Sequence, residues 1–514
     1  MKKMITLLLT SLLLCSCAFK KIDTIDDNYR VFYQIFVGSF SDSNNDGTGD
    51  LRGIINRLDY LNDGDINSNT SLGIQGIWLS PIFKSSSYHK YDTIDYYQID
   101  EKFGTMDDLK ELIDAAHQKN VKIILDMAFN HTSLAHNWFI EFKKAHLNND
   151  SNNKYYDYYT YKSSTEKMPG RVWCKLGQEE NYECNFSSDM PELNYDNENV
   201  RNDILDIAKY YLDLGVDGFR FDAAKYIYLN DEKKTQEFWK EFNSKLKEIK
   251  NDIYLVGEVW SSDNEVYGYI DSMNCFNFTM SQAEGVIASA AKNGNINTYT
   301  RYIEKYQAKI KTLNSESMLI PFISNHDMDR SAGFLMMANK FPYMAANLLL
   351  LAPGSPFIYY GEEIGLKGSR GSANTDANRR LKMLWGDKDN VKDPIGSTFA
   401  NSKQTNGTVS EHLKNDESLF HHYRKLIDLR NKYPEIARGE YKAYTGSDNT
   451  MGGFIITYND KTTGLFHNAS SILEQSIDLS KYEFTEIKDY IGMSNAKLEN
   501  NILTLGPQTS AILK

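Results

Sequence analysis

From residue 31 to about residue 360, short runs rich in β-branched and aromatic residues alternate with longer stretches whose apolar positions return every three or four residues. The short runs, at 31–40, 74–81, 121–129, 216–222, 253–259, 276–280, 318–324 and 356–360, read as strands. The longer ones, such as 106–119 after the second run, 200–214 after the third and 235–249 after the fourth, read as helices with one apolar face. Eight strands alternating with helices predict an α/β fold, a parallel (β/α)8 TIM barrel. One connection breaks the rhythm. Between the third strand and its helix lie about 70 residues rich in Asn, Tyr and Ser, too long for a loop and so expected to be an inserted subdomain. From about residue 435 the runs become short and alternating, as at 453–458 and 462–467, which predicts a closing β-sandwich. The expected domains are the barrel in two parts, 29–131 and 200–434, the insertion 132–199, and the sandwich 435–514.

The N-terminus has a different pattern. Lys2 and Lys3 precede an apolar run from Met4 to Leu14, shorter than the roughly 20 residues of a spanning helix, so it reads as a secretory signal. It ends in Leu14-Cys15-Ser16-Cys17, which resembles the bacterial lipoprotein box. On that reading residues 1–16 are removed, Cys17 is acylated, residues 17–28 form a tether, and the body hangs from the cell membrane or outer membrane. An ordinary secretion signal is the alternative. Export places Cys174, Cys184 and Cys275 in an oxidising compartment. Cys174 and Cys184 are ten apart across a polar turn and are expected to pair, leaving Cys275, with Phe276 and Phe278 nearby, as a buried free thiol.

Composition narrows the partners. Lys and Arg number 57 against 69 Asp and Glu, a net charge of −12, which argues against nucleic acid and favours a neutral substrate. The 34 Tyr and 25 Phe supply core and also flat faces on which a sugar can stack. The sequence carries no signal of oligomeric state.

In a barrel of this kind the working groups stand just past the C-terminal ends of the strands. Those ends are rich here: Asp126-Met127-Ala128-Phe129-Asn130-His131 on the third, Gly218-Phe219-Arg220-Phe221-Asp222-Ala223-Ala224-Lys225 on the fourth, Gly257-Glu258-Val259-Trp260 on the fifth and Ser324-Asn325-His326-Asp327 on the seventh. In type, order and spacing they resemble the four signature regions of the α-amylase superfamily, glycoside hydrolase family 13, from about Tyr33 to the end of the chain. The insertion is similar to the family's domain B and the sandwich to its domain C. Met190-Pro191-Glu192-Leu193-Asn194 resembles a fifth region, in a form intermediate between oligo-1,6-glucosidases and neopullulanases.

The resemblance implies a retaining glycosidase, whose oxocarbenium-like transition state needs a carboxylate nucleophile and a protonated carboxyl at the leaving oxygen. Asp222 would be the nucleophile, kept ionised by Arg220 two residues earlier on the same strand face, and Glu258 the general acid and base, its pKa raised by Val259 and Trp260. Asp327 would bind sugar hydroxyls, with His131 and His326 donating to the same ring, Tyr91 stacking on it and Lys225 on the leaving-group side. The loop Asp42-Ser43-Asn44-Asn45-Asp46-Gly47-Thr48-Gly49-Asp50 begins like an EF-hand, but Gly53 stands where the twelfth-position Glu belongs. The resemblance assigns it a Ca2+ site with ligands Asp42, Asn44, Asp46, Asp50 and the Thr48 carbonyl.

Ala223 stands where α-1,6-specific relatives usually carry Val, and Tyr88 where exo-acting ones carry a pocket-closing Asp. Both favour an endo-acting α-amylase on α-1,4 bonds of starch-like glucans. Tyr226 replaces the His that α-amylases usually carry after Lys225, which leaves an α-glucosidase or transglycosylase on short maltooligosaccharides as the alternative. A non-catalytic glucan-binding surface protein is the reading outside enzymes, disfavoured because all three acids are present.

Overall fold

The computed structural model describes residues 25, 27–65, 67–399, 403 and 405–514. The signal segment, Cys17 and most of the tether lie outside the described residues. Seven short strands form one parallel sheet in the spatial order Asn274–Cys275, Tyr254–Gly257, Gly218–Phe221, Lys122–Met127, Gly76–Leu79, Phe32–Ile35 and Phe357–Tyr359. The predicted seventh run supplies the last stave without ladder pairing: Ile320 bridges Phe276 and Phe322 bridges Phe357, closing the ring. Pro321 stands between those bridges and has no N–H to donate, so a regular strand cannot form there. The sixth run also departs from expectation. Its strand is Asn274–Cys275, and Phe278–Met280 is a 3-10 turn because the Asn277 side chain accepts the Met280 N–H and bends the chain.

Alternate residues of each strand point inward, and the barrel interior divides into two levels. The lower is an apolar plug that includes Phe32, Trp78, Ile124, Tyr254, Val256, Phe276, Ile320 and Phe357. Two residues further along the strands the inward positions turn polar, with Gln34, Asp126, Arg220 and Glu258, so the plug is the floor on which the site stands. Outside, amphipathic helices cover the sheet. Met106–Gln118, for instance, begins with a Thr105–Asp108 capping box and buries Leu109, Leu112, Ile113 and Ala116.

The insertion after the third strand carries the helix Asn137–Leu147 and a three-stranded sheet of Tyr161–Ser163, Trp173–Lys175 and Glu180–Glu183. Cys174 and Cys184 form the expected disulfide, and Cys275 is a buried free thiol. The chain returns to the barrel by pairing His131 with Glu192. Beyond residue 439 a five-stranded and a three-stranded antiparallel sheet enclose their own core around Phe466, Leu503, Leu505 and Leu513. At the other end Ile25 is buried and Asp27 accepts two hydrogen bonds from Arg438, at 2.9 and 2.7 Å, so the chain is docked before residue 28, where the tether was expected to end. Among the described residues no helix is long and apolar enough to cross a membrane.

Candidate active site

Parallel register places the site's central residue. Arg220 lies opposite Asp126 on one neighbouring strand and Val256 on the other, so Arg220, Asp126 and, two residues beyond Val256, Glu258 share the inward face. Arg220 is buried, and its two terminal nitrogens hold three acids: Nη1 donates to Asp126 Oδ1 and Asp222 Oδ1, each at 2.7 Å, and Nη2 donates to Glu258 Oε2 at 2.5 Å. Asp222 and Glu258 thus hang on the two terminal nitrogens of one guanidinium, which sets a short upper limit on their separation. Ala223, after Asp222, sits in the left-handed region at φ 48°, and its N–H points at Glu258 Oε2, 3.3 Å away. A strained non-glycine residue here turns the chain so that one backbone donor meets the second carboxylate.

Burial raises both carboxyls, Arg220 pulls them back, and the neighbouring acids push them up again: Asp222 reaches about 6 and Glu258 about 7. Held by one guanidinium and repelling one another, the two titrate as a pair. Trp260 adds little to this, being 39% exposed and stacked on Phe278 rather than on the carboxyl. Asp327 behaves oppositely. Burial alone would raise it, but His326 Nε2 at 3.0 Å and Arg380 Nη2 at 2.7 Å hold it far below the usual carboxylate range. Two acids are poised near neutrality and the third is fixed as an anion.

Tyr91 Oη donates to Asp126 Oδ2 at 2.9 Å and lies 2.6 Å from His326 Nε2, its ring stacked on the imidazole. The Gln34 amide donates to His326 Nδ1 at 2.8 Å, so Nε2 carries the hydrogen and faces Tyr91 and Asp327. Burial lowers His131 to about 4, leaving it neutral. Asp222, Glu258, Asp327, Tyr91 and His131 line one cleft of about 650 Å³, with Arg220 and His326 beneath it. Lys225 is not on that wall; its ammonium donates to the Trp260 carbonyl at 2.9 Å and braces the loop after Glu258.

The sequence reading left three participants without a role. Asp126, named within a strand-end motif, anchors Arg220 and Tyr91 and accepts the Trp78 indole N–H. Arg380 pairs with Asp327 from the end of the 3-10 turn Asp376–Arg379. Phe186, from the insertion, packs against His131 and Tyr226 at the cleft edge. Their only signals were an inward strand position, two adjacent arginines and an aromatic in a polar loop.

The loop expected to bind Ca2+ stands apart from the cleft floor. Asp42 accepts the N–H groups of Asn44, Asn45 and Gly47, Asn44 that of Asp46, Asp46 that of Thr48, and Asp50 those of Ser43 and Gly53. The donors are all oxygen, as a hard cation requires. Among the described residues, no three acidic, histidine or cysteine side chains are gathered closely enough to hold a metal.

A parallel barrel bearing buried, charge-coupled carboxyls in a cleft at its C-terminal mouth is the framework of a glycoside hydrolase. The model of the alpha amylase catalytic domain matches residues 34–439, and the chain belongs to that family. It is 36% identical to Alpha-amylase 3 of Dictyoglomus thermophilum over 94% of this chain and 93% of that one. It is 31% identical to a 4-alpha-glucanotransferase of Thermotoga maritima, over 88% of this chain and 99% of the other. The solved structure of Eubacterium rectale Amy13B superposes with a TM-score of 0.88, at 33% identity over 96% of each chain.

Proposed function

We propose that this glycoside hydrolase is a retaining, endo-acting α-amylase that cleaves α-1,4 bonds of starch-like glucans and maltooligosaccharides. The observation that supports it most is the pair Asp222 and Glu258 on one guanidinium, at about 6 and about 7. With both raised towards neutrality and repelling one another, the pair can hold a single proton there, which the retaining mechanism places on Glu258. Asp222 Oδ attacks the anomeric carbon as Glu258 gives its proton to the departing glycosidic oxygen, leaving a glycosyl ester on Asp222. Esterification removes the Asp222 charge, and with it the repulsion that raised Glu258, so Glu258 is left as a carboxylate. It then takes a proton from water, whose oxygen attacks the same carbon and releases Asp222. Asp327, held anionic, accepts hydroxyls of the ring, and Tyr91 offers it a flat face.

Ala223 and Tyr88 support the α-1,4 and endo assignments. The likeness to a glucanotransferase keeps transfer to a second sugar as the alternative outcome of the ester. Chromatography of products from amylose, maltotriose and pullulan decides: mid-length oligomers appearing before glucose support the endo reading, whereas immediate glucose or lengthened oligomers overturn it.

The proposal includes Ca2+ at Asp42, Asn44, Asp46, Asp50 and the Thr48 carbonyl. Titration calorimetry on chelator-stripped protein should register uptake, and no heat with an unmoved melting temperature removes the site. It also includes export and acylation at Cys17, supported by the Cys174–Cys184 bridge, which is stable in oxidising compartments. Cys17→Ala should release the protein from the membrane fraction.

A further inference from the structure

Tyr88 has two sides. One lines the catalytic cleft, and the other lines a second chamber of about 490 Å³, within the usual range of ligand sites. The wall is held in place. Arg380 donates to Tyr88 Oη at 3.1 Å with the same guanidinium that holds Asp327 at 2.7 Å, and that guanidinium lies 5.5 Å from the Phe36 ring and 5.7 Å from the Tyr88 ring. The position of this shared wall is therefore set by the group that fixes the sugar-binding acid.

The chamber's chemistry suits a sugar. Tyr88, Ile94 and Ile395 give it apolar surface, and Thr48 and Ser86 give it hydroxyls. Its four lysines are matched by four carboxylates, and the buried Lys90–Asp100 pair at 2.6 Å is already neutralised. A lining of zero formal charge disfavours a phosphorylated or acidic ligand and favours a neutral polyhydroxyl one. Direction follows from the chemistry: the acid Glu258 faces the leaving oxygen, so the departing half of the chain lies on the side of Trp260. Tyr88 is reached from the reacting ring through Asp327 and Arg380 instead.

We propose that the chamber behind Tyr88 is a second binding region, which receives the non-reducing arm of a neutral α-glucan as it passes over the Tyr88 ring. This rests on the α-glucan reading of the cleft and adds to it that long chains are held on both sides of Tyr88.

The test uses maltoheptaose. Crystals of Asp222→Asn soaked with it should show glucose rings in the chamber as well as over residue 222, and density confined to the cleft overturns the proposal. In solution, Ser86→Trp fills the chamber from its exposed rim. The ratio of kcat/KM for maltoheptaose to that for maltotriose should fall by about tenfold, because only the longer substrate spends binding energy there. A ratio within about twofold of the parent's also overturns it. The underlying reading fails separately, through absence of maltoheptaose hydrolysis by the unaltered protein.

Discussion

Two groups of buried acids sit near the barrel mouth, and they differ in what surrounds them. Asp126, Asp222 and Glu258 share Arg220, and the last two border an open cleft. Glu362 and Glu363, in the turn after the last barrel strand, are enclosed and accept chiefly from hydroxyls: Tyr423 and Ser324 donate to the first, Tyr33 and Tyr60 to the second. Burial raises Glu362 to about 7, as high as Glu258, and raises Glu363 too. A raised carboxyl pKa is therefore no mark of catalysis by itself. What separates the groups is access to substrate and a cation bonded directly to both acids, which lets one ionise beside the other.

The sharpest break in the comparison is chemical. Asp222→Asn should lower the initial rate on amylose by at least about 10³-fold with the melting temperature nearly unmoved, since it removes a nucleophile and leaves its shape. Arg220→Ala should abolish activity and also cost about 3–5 kcal/mol in denaturant unfolding, because three buried carboxyls lose their common cation. For the enclosed group the prediction concerns stability alone. The folded chain keeps the Glu362 proton up to about pH 7, whereas the unfolded chain loses it near the ordinary glutamate value of 4.5. Its contribution therefore declines as pH rises between those values, and the penalty is complete above the higher one. Glu362→Gln should gain on the parent by roughly 3 kcal/mol between about pH 5 and pH 8, with kcat unchanged. Smallest in effect is the pH–rate profile: kcat/KM should rise as Asp222 ionises near about 6 and fall as Glu258 deprotonates near about 7, giving a narrow bell. A broad plateau would show that the two acids do not interact as their shared guanidinium requires.

Much of the site was legible because strand ends are short, ordered and placed by the barrel itself: Arg220, Asp222 and Glu258 follow one another on inward positions of adjacent strands. The Cys174–Cys184 pair was legible from spacing for a similar local reason. What was not legible depends on long-range closure. Arg380 meets Asp327 across 53 residues, and nothing near either residue announces the other. Lys225 follows the nucleophile motif, yet its chain turns it onto the Trp260 carbonyl. The seventh strand was visible as an apolar run, but its reduction to two bridges came from Pro321, whose missing donor matters only once its neighbours are known. The Glu362–Glu363 pair gave no sequence signal of burial, since its partners come from four separate segments.

The hairpin of the insertion ends at Cys184, and Asn185 and Phe186 follow directly, the latter on the rim of the cleft. One covalent staple thus braces the side of the groove that a polysaccharide must slide along. A chain matured where thiols stay reduced would present the same acids behind a looser rim, so its grip on long polymers would respond to redox conditions while its bond-breaking centre would not.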